Sequence, residues 1–145
     1  MPFDGTIGLP QPRRNWVTEF GRKLSMGWLR SPEAKPPEEQ LALRVAIARE
    51  AVIVLDEVAD MLDGGNNWIR GRYRSKRGYC LLGALRAVHC SRKARLMASA
   101  HLTRAIGDLC GKEQGIIEFN DSQVTFAKIC QVIERAKQYT YADCD

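Results

Sequence analysis

The sequence contains no aspartate or glutamate between Gly64 and Gly107, although ten lysine and arginine residues lie in this stretch. Five of these cations fall within residues 70–77, which we call the basic loop. This absence excludes neutralisation by carboxylates within the stretch itself, so its positive charge calls for an anionic partner from outside it. Three kinds of partner are possible: another protein, a phosphate backbone or the protein's own carboxylates elsewhere in the chain.

The sequence also lacks long apolar runs and paired cysteine motifs. No window approaches the roughly 18 consecutive apolar residues of a membrane span, and the N-terminus has no apolar core of signal-peptide length. We therefore expect a cytoplasmic protein without a membrane span. Five cysteines occur without Cys-x-x-Cys spacing, which argues against a disulfide framework and a zinc ribbon. We expect reduced thiols, no cofactor and no structural metal.

Proline is confined to the first 37 residues, which hold all six prolines and four of the twelve glycines. We interpret residues 1–37 as a mobile basic N-terminal arm outside the core. Apolar residues at helical spacing within this arm predict a short amphipathic helix, although two glycines weaken that prediction. The helix would offer Trp16, Phe20 and Trp28 as anchors for a protein partner, so a protein-interaction or inhibitor module is one alternative function.

The chain as a whole has the composition of one soluble domain. Its 145 residues, with 45% apolar and 27% charged, are enough to bury a hydrophobic core. Residues 38–138 are predicted to form a mainly α-helical bundle of about four core helices, followed by a polar tail over residues 139–145. Residues 116–119 form an apolar run that we interpret as a short extended segment.

Helix boundaries follow from caps and breakers. An apolar stripe predicts a long first helix over about residues 36–63, which Gly64 terminates. A helical hairpin is predicted after the basic loop. Its first helix spans about residues 79–90, and Ser91 caps a second helix over about residues 92–110.

Three aspartates, Asp56, Asp60 and Asp63, lie one turn apart at the end of the predicted first helix. The helix dipole makes carboxylates unfavourable there, so a positive group should compensate them. The basic loop is the nearest candidate in sequence. A divalent metal ion is the alternative, although no Gly-rich calcium loop accompanies the aspartates.

The basic loop suits a nucleic-acid partner because an aromatic ring lies among its cations. This combination is typical of surfaces that contact phosphates and stack on bases. A solvated surface neutralised within the protein is the alternative. No zinc finger, recognition helix or RNA-binding sheet motif is visible, so we expect salt-sensitive binding without sequence specificity. The candidate nucleic-acid-binding residues are Arg70, Arg72, Tyr73, Arg74, Lys76, Arg77, Arg92, Lys93 and Arg95.

An enzymatic alternative is a cysteine-dependent hydrolase. A Cys80 thiol at a helix N-terminus beside basic residues favours the nucleophilic thiolate, and His101 could act as its base with Asn120 or Asp121 orienting the imidazole. Packing is the stronger explanation of Cys80, since cysteine is among the most buried residue types. Asn120 and Asp121 suit a turn, and Asp121 or Thr125 could cap a last helix ending near residue 138. We favour no catalytic role.

Three short motifs occur in order along the chain: Trp68-Ile69-Arg70-Gly71, Cys80-Leu81-Leu82-Gly83-Ala84-Leu85 and Phe119-Asn120-Asp121. Together they resemble an uncharacterised family of small bacterial and phage proteins with the pattern Trp-x-x-Gly, Cys-x-x-Gly-Ala-Leu and aromatic-Asn-Asp. The resemblance covers about residues 41–136 and implies no activity, because the function of that family is unknown. This sequence departs from the family pattern at Phe119, where tryptophan is usual. It also has a long basic N-terminal arm, about whose role the family resemblance implies nothing.

Overall fold

The longest helix, α1 (Pro37–Leu62), is the spine of the fold in the computed structural model, which describes residues 34–145. Proline suits the first turn of a helix because its fixed φ is already helical, and Glu38 and Glu39 complement the positive end of the helix dipole. The helix ends where Gly64 and Gly65 take positive φ values of 58° and 101° in a 3₁₀ turn, Asp63–Gly65. The predicted long first helix and its glycine stop are confirmed.

The basic loop ends in a small antiparallel hairpin, in which its strand β1 (Arg74–Ser75) pairs with β2 (Gly78–Tyr79), the two residues that follow the loop. Gly78 has a φ of 140°, and a Cβ added there would lie 1.7 Å from the carbonyl oxygen of Asn67. Only glycine fits this position. The sequence pattern did not predict this hairpin.

Helices α2 (Leu81–Ala87) and α3 (Arg92–Cys110) form the predicted helical hairpin. The Oγ atom of Ser91 accepts the backbone N–H of Ala94 at 3.1 Å, so Ser91 is the N-cap of α3, as predicted. Helix α2 is shorter than the predicted span of residues 79–90. Its start is delayed because Tyr79 pairs in β2 and Cys80 is an extended cap, and it ends where Val88 becomes extended.

Residues 116–119 are helical and not extended, which corrects the prediction. They belong to α4 (Ile116–Ser122), whose N-cap is Gly115. Ile116, Phe119 and Asn120 are buried, whereas Ile117 is 41% exposed. Buried residues at steps of three and four indicate a helix, and the adjacent isoleucines disguised this period as a continuous apolar run.

The last helix, α5 (Ala127–Ala142), continues four residues beyond its predicted end near residue 138. Most of the predicted tail, residues 139–145, is therefore helical, because Thr140 is fully buried and Tyr139 packs against the core. The N-cap of α5 is Phe126, without a side-chain cap. The prediction that Thr125 or Asp121 caps this helix is wrong.

Helices α1, α3 and α5 pack against one another as a three-helix core, with α2 on α1 and with α4 against α2 and α3. The mainly α fold is confirmed, with five helices in residues 34–145 where about four were expected. None of these helices combines the length and apolar character that crossing a membrane requires. Most of the predicted arm, including Trp16, Phe20 and Trp28, lies outside the described residues.

Candidate nucleic-acid interface

The five cations of the basic loop are exposed, and no carboxylate of residues 34–145 forms an ion pair with any of them. Their contacts within the domain are to neutral groups. The Nη1 atom of Arg70 donates to the backbone carbonyl of Gln123 at 2.8 Å, and the Arg74 guanidinium lies 5.5 Å from the centroid of the Tyr79 ring. Sequence reasoning missed Gln123, because a backbone carbonyl carries no side-chain signal. These contacts orient the loop and leave its charge without a carboxylate partner among residues 34–145.

The aspartates at the end of α1 do not neutralise the loop, contrary to the expected pairing. Asp56 instead forms an ion pair with Lys137 on α5, with Oδ1 2.8 Å from Nζ, and this contact raises the pKa of Lys137. Asp63 accepts a hydrogen bond from the side chain of Asn66 at 3.2 Å. Residues 34–145 also contain no cluster of three or more carboxylate, histidine or cysteine side chains placed to hold a metal ion.

A groove of about 750 Å³ runs along the basic loop. Its lining combines two neighbouring apolar residues, a serine and four cations. The Ser75 hydroxyl accepts the backbone N–H of Arg77 at 3.0 Å, which fixes the turn between the two strands. The groove therefore offers a concave cationic surface with an apolar part, lined by Trp68, Ile69, Arg70, Arg72, Ser75, Lys76 and Arg77.

A buried amide, Asn120, fixes the start and the end of the segment that carries the basic loop. Its Oδ1 atom accepts the indole N–H of Trp68 at 2.8 Å and the backbone N–H of Leu81 at 3.0 Å. Its Nδ2 group donates to the carbonyl of Ile69 at 3.1 Å and to Asp121 Oδ1 at 3.0 Å. All four hydrogen bonds available to the amide are made, as a fully buried amide requires. We call this arrangement the Asn120 network.

Two further contacts hold the interior of the same segment. Asp121 Oδ1 accepts the backbone N–H of Gly71 at 2.8 Å. The Tyr73 carbonyl accepts the N–H of Cys80 at 3.2 Å, and a Cβ added to Gly83 would lie only 1.8 Å from that carbonyl oxygen. The third sequence motif, which is distant in the chain from the first two, therefore meets them at one place, and together the three motifs position the basic loop.

The residues of the hydrolase alternative are each engaged with a different partner. Cys80 is 3% exposed, and its Sγ accepts the backbone N–H of Gly83 at 3.2 Å as the N-cap of α2. The Nε2 atom of His101 lies 2.9 Å from Oδ2 of Asp143. Cys80 therefore serves as a helix cap, His101 contacts a carboxylate, and Asn120 is a structural amide saturated by the network above.

The second basic cluster, Arg92, Lys93 and Arg95, begins α3, and its first two members are exposed. The start of α3 is anchored by Glu50 on α1. This carboxylate accepts the N–H and the hydroxyl of Ser91, both at 2.6 Å, and these bonds hold the pKa of Glu50 below its ordinary value. The exposed cations are thus presented from a fixed helix end.

Arg95 and Arg86 both make contacts within the domain and are not simply solvated surface cations. Arg95 is only partly exposed, and its Nη2 donates to the carbonyl of Val88 at 2.8 Å, so it serves the junction between α2 and α3. Arg86, in the last turn of α2, places its guanidinium 4.8 Å from the centroid of the Tyr73 ring. This second contact links α2 to the basic loop.

The structure thus defines a small, mainly α domain in which a buried polar network presents an exposed basic hairpin. The chain matches the family of unknown function DUF6197 over residues 31–139 and belongs to that family. The resemblance to an uncharacterised family is therefore confirmed. No curated protein and no solved structure shows significant similarity to the chain. Because membership assigns no activity, function must be argued from the site.

Proposed function

We propose that this domain binds nucleic acid through its phosphate backbone, without sequence specificity, and that the basic loop is the binding surface. One observation carries the proposal: five exposed cations lie within eight consecutive positions, and no carboxylate of residues 34–145 pairs with any of them. A surface of this charge density attracts polyanions and releases counterions on binding.

The fixed backbone of the loop supports this proposal over a merely solvated charge run. A run of solvated charges needs no defined backbone conformation. The backbone of this loop is nevertheless fixed by Asn120, by Asp121 and by the close approach of Gly83 to Tyr73. Holding like charges near one another is unfavourable unless a partner compensates them. Preorganised cations lose less conformational freedom when they bind, which favours a binding role.

The proposed surface extends beyond the groove to the start of α3. The basic loop leads into α2, and the exposed Arg92 and Lys93 follow it. Helix α2 has seven residues, and seven residues of α-helix span only about 10 Å. Arg86 lies on this short helix between the two groups of cations. We leave Arg95 out of the surface because its guanidinium is used at the helix junction.

The test is a double charge reversal in the full chain, Arg72→Glu with Arg74→Glu, measured by fluorescence anisotropy with labelled DNA and RNA across a salt series. We expect wild-type affinity to fall linearly with salt on logarithmic axes. The double variant should bind at least about tenfold more weakly at low salt, with a slope smaller by about two, since each lost phosphate contact removes about one.

The matched control reverses two exposed cations outside the loop, Lys112→Glu with Arg135→Glu, and changes the net charge equally. We expect this control to lose far less affinity. Equal losses in the two variants would attribute binding to net charge and contradict an interface at the loop. Absence of wild-type binding at low salt would contradict the proposed function itself.

A further inference from the structure

Tyr73 is the exposed aromatic of the basic loop, and a cation covers part of its ring. The residue is 46% exposed, between the exposed Arg72 and Arg74. The guanidinium of Arg86 lies 4.8 Å from the ring centroid, within cation–π distance. The ring is therefore supported by a cation from α2 and still has surface available to a ligand.

The backbone of Tyr73 is fixed, unlike that of an ordinary exposed loop tyrosine. Its carbonyl accepts the N–H of Cys80 at 3.2 Å and abuts Gly83, where a Cβ would approach to 1.8 Å. The next residue, Arg74, pairs with Tyr79 in the hairpin. A ring held in this way loses little conformational freedom when a flat ligand stacks on it.

We propose that Tyr73, backed by Arg86, is a stacking site for one unpaired nucleobase, while the arginines beside it contact the flanking phosphates. This inference rests on the proposed function and adds its substrate class, single-stranded nucleic acid. Every nucleobase has a π-face, so stacking on an aromatic ring adds affinity without demanding a sequence. In a duplex the bases are stacked inside, and reaching Tyr73 would require extruding one of them at a substantial cost.

The test compares Tyr73→Leu and Tyr73→Phe with the wild-type full chain. The probes are one labelled single strand, as DNA and as RNA, its duplex, and the same DNA strand with abasic positions. We expect Tyr73→Leu to weaken binding to both intact single strands by roughly tenfold and to leave duplex affinity, abasic-strand affinity and the salt slope unchanged. Tyr73→Phe should keep wild-type affinity, because stacking needs the ring and not the hydroxyl.

The matched control is Tyr141→Leu, which removes a tyrosine of similar exposure, 52%, from α5. It should leave all affinities unchanged. Wild-type binding that Tyr73→Leu does not weaken, or weakens equally for duplex and single strand, overturns the stacking site and leaves the proposed function standing. A wild-type protein that binds none of the probes overturns both.

Discussion

Charged side chains near the end of α5 are paired within the domain, whereas those of the basic loop are not. Asp143 accepts Arg44 at 2.8 Å and His101 at 2.9 Å, which joins α1, α3 and the end of α5. Lys137 on α5 pairs with Asp56 on α1 at 2.8 Å. The basic loop has no ion pair in residues 34–145. It is held by the Gln123 carbonyl, by Asp121 on the Gly71 N–H, and by the neutral amide of Asn120 on the residues that flank it.

This difference separates charges that hold the helices together from charges that remain available to a partner. Ion pairs at partly exposed positions weaken as salt rises or as a partner changes protonation. Hydrogen bonds of a buried, uncharged amide respond to neither. The loop can therefore keep its shape under conditions in which its own charges are neutralised by a bound polyanion, and three substitutions test this contrast.

The largest effect is expected at Gly83, where one methyl group would force the loop away from α2. Alanine favours a helix over glycine by at most about 1 kcal/mol. The added Cβ would lie 1.8 Å from the Tyr73 carbonyl oxygen, a clash with backbone, and overpacking of this kind costs about 3 kcal/mol. We expect Gly83→Ala to lower the free energy of unfolding by about 2 kcal/mol in urea denaturation.

The same substitution at Gly107, inside α3, is the matched control. The nearest atom to an added Cβ there is the carbonyl oxygen of Lys112 at 4.0 Å, and Gly107→Ala should stabilise the domain by about 0.5 to 1 kcal/mol. The two variants should therefore change stability in opposite directions. If both were stabilising, the close approach between Gly83 and Tyr73 would not exist in solution.

Removal of the Asn120 network is expected to lower the free energy of unfolding slightly less than Gly83→Ala does. Asn120→Ala leaves the N–H of Leu81 and the carbonyl of Ile69 without this partner, so the free energy of unfolding should fall by about 1.5 kcal/mol. Hydrogen exchange in residues 66–80 should accelerate more than in α3. The difference from wild type should depend little on salt, since three of the four lost bonds join uncharged groups.

The exposed Gln131 on α5 provides the control for Asn120→Ala, and Gln131→Ala should leave stability and exchange unchanged. A stability loss for Asn120→Ala that shrinks as salt rises would indicate that charge, and not the neutral amide, holds the loop. Unaltered exchange in residues 66–80 would contradict the positioning role of the network.

The long helices were predictable because their signals are local. The stripe of α1 with its glycine stop, and α3 with its Ser91 cap, follow from residues within a few turns of one another. Helix α4 was missed because seven residues give two turns at most, and Ile116 and Ile117 together resemble a strand. The end of α5 was missed because Thr140 is polar and its burial depends on other helices.

The candidate site was predictable in composition but not in construction. The cations could be chosen from charge density and Tyr73 as the aromatic residue between them, and Tyr73 is exposed in the structure. The Asn120 network could not be predicted. Trp68 and Asn120 are 52 positions apart in the sequence, and a local sequence pattern does not indicate which distant residues come into contact. A turn or cap explained Asn120 and Asp121 locally, so nothing in the sequence required a longer-range role.

The smallest effect, and the one that sharpens the contrast, is expected at Asp143. Partial burial opposes its ionisation, but hydrogen bonds from Arg44 and His101 outweigh burial and hold its pKa below the ordinary value. A carboxyl group with a lowered folded-state pKa stabilises the fold above its unfolded pKa, and this stabilisation is lost as pH falls through the folded pKa. At neutral pH, Asp143→Asn should therefore cost about 1 kcal/mol, a modest value because the pair is partly exposed.

The difference between wild type and Asp143→Asn should fade as the pH falls below about 4, near the ordinary pKa of aspartate, and should also shrink with added salt. Urea denaturation across pH measures it, with the exposed carboxylate of Glu113 as control, where Glu113→Gln should change little at any pH. A difference that persisted in acid would mean that Asp143 acts through packing and not through charge. In that case the ion-paired end of α5 would respond to conditions in the same way as the loop, and the contrast between the two regions would disappear.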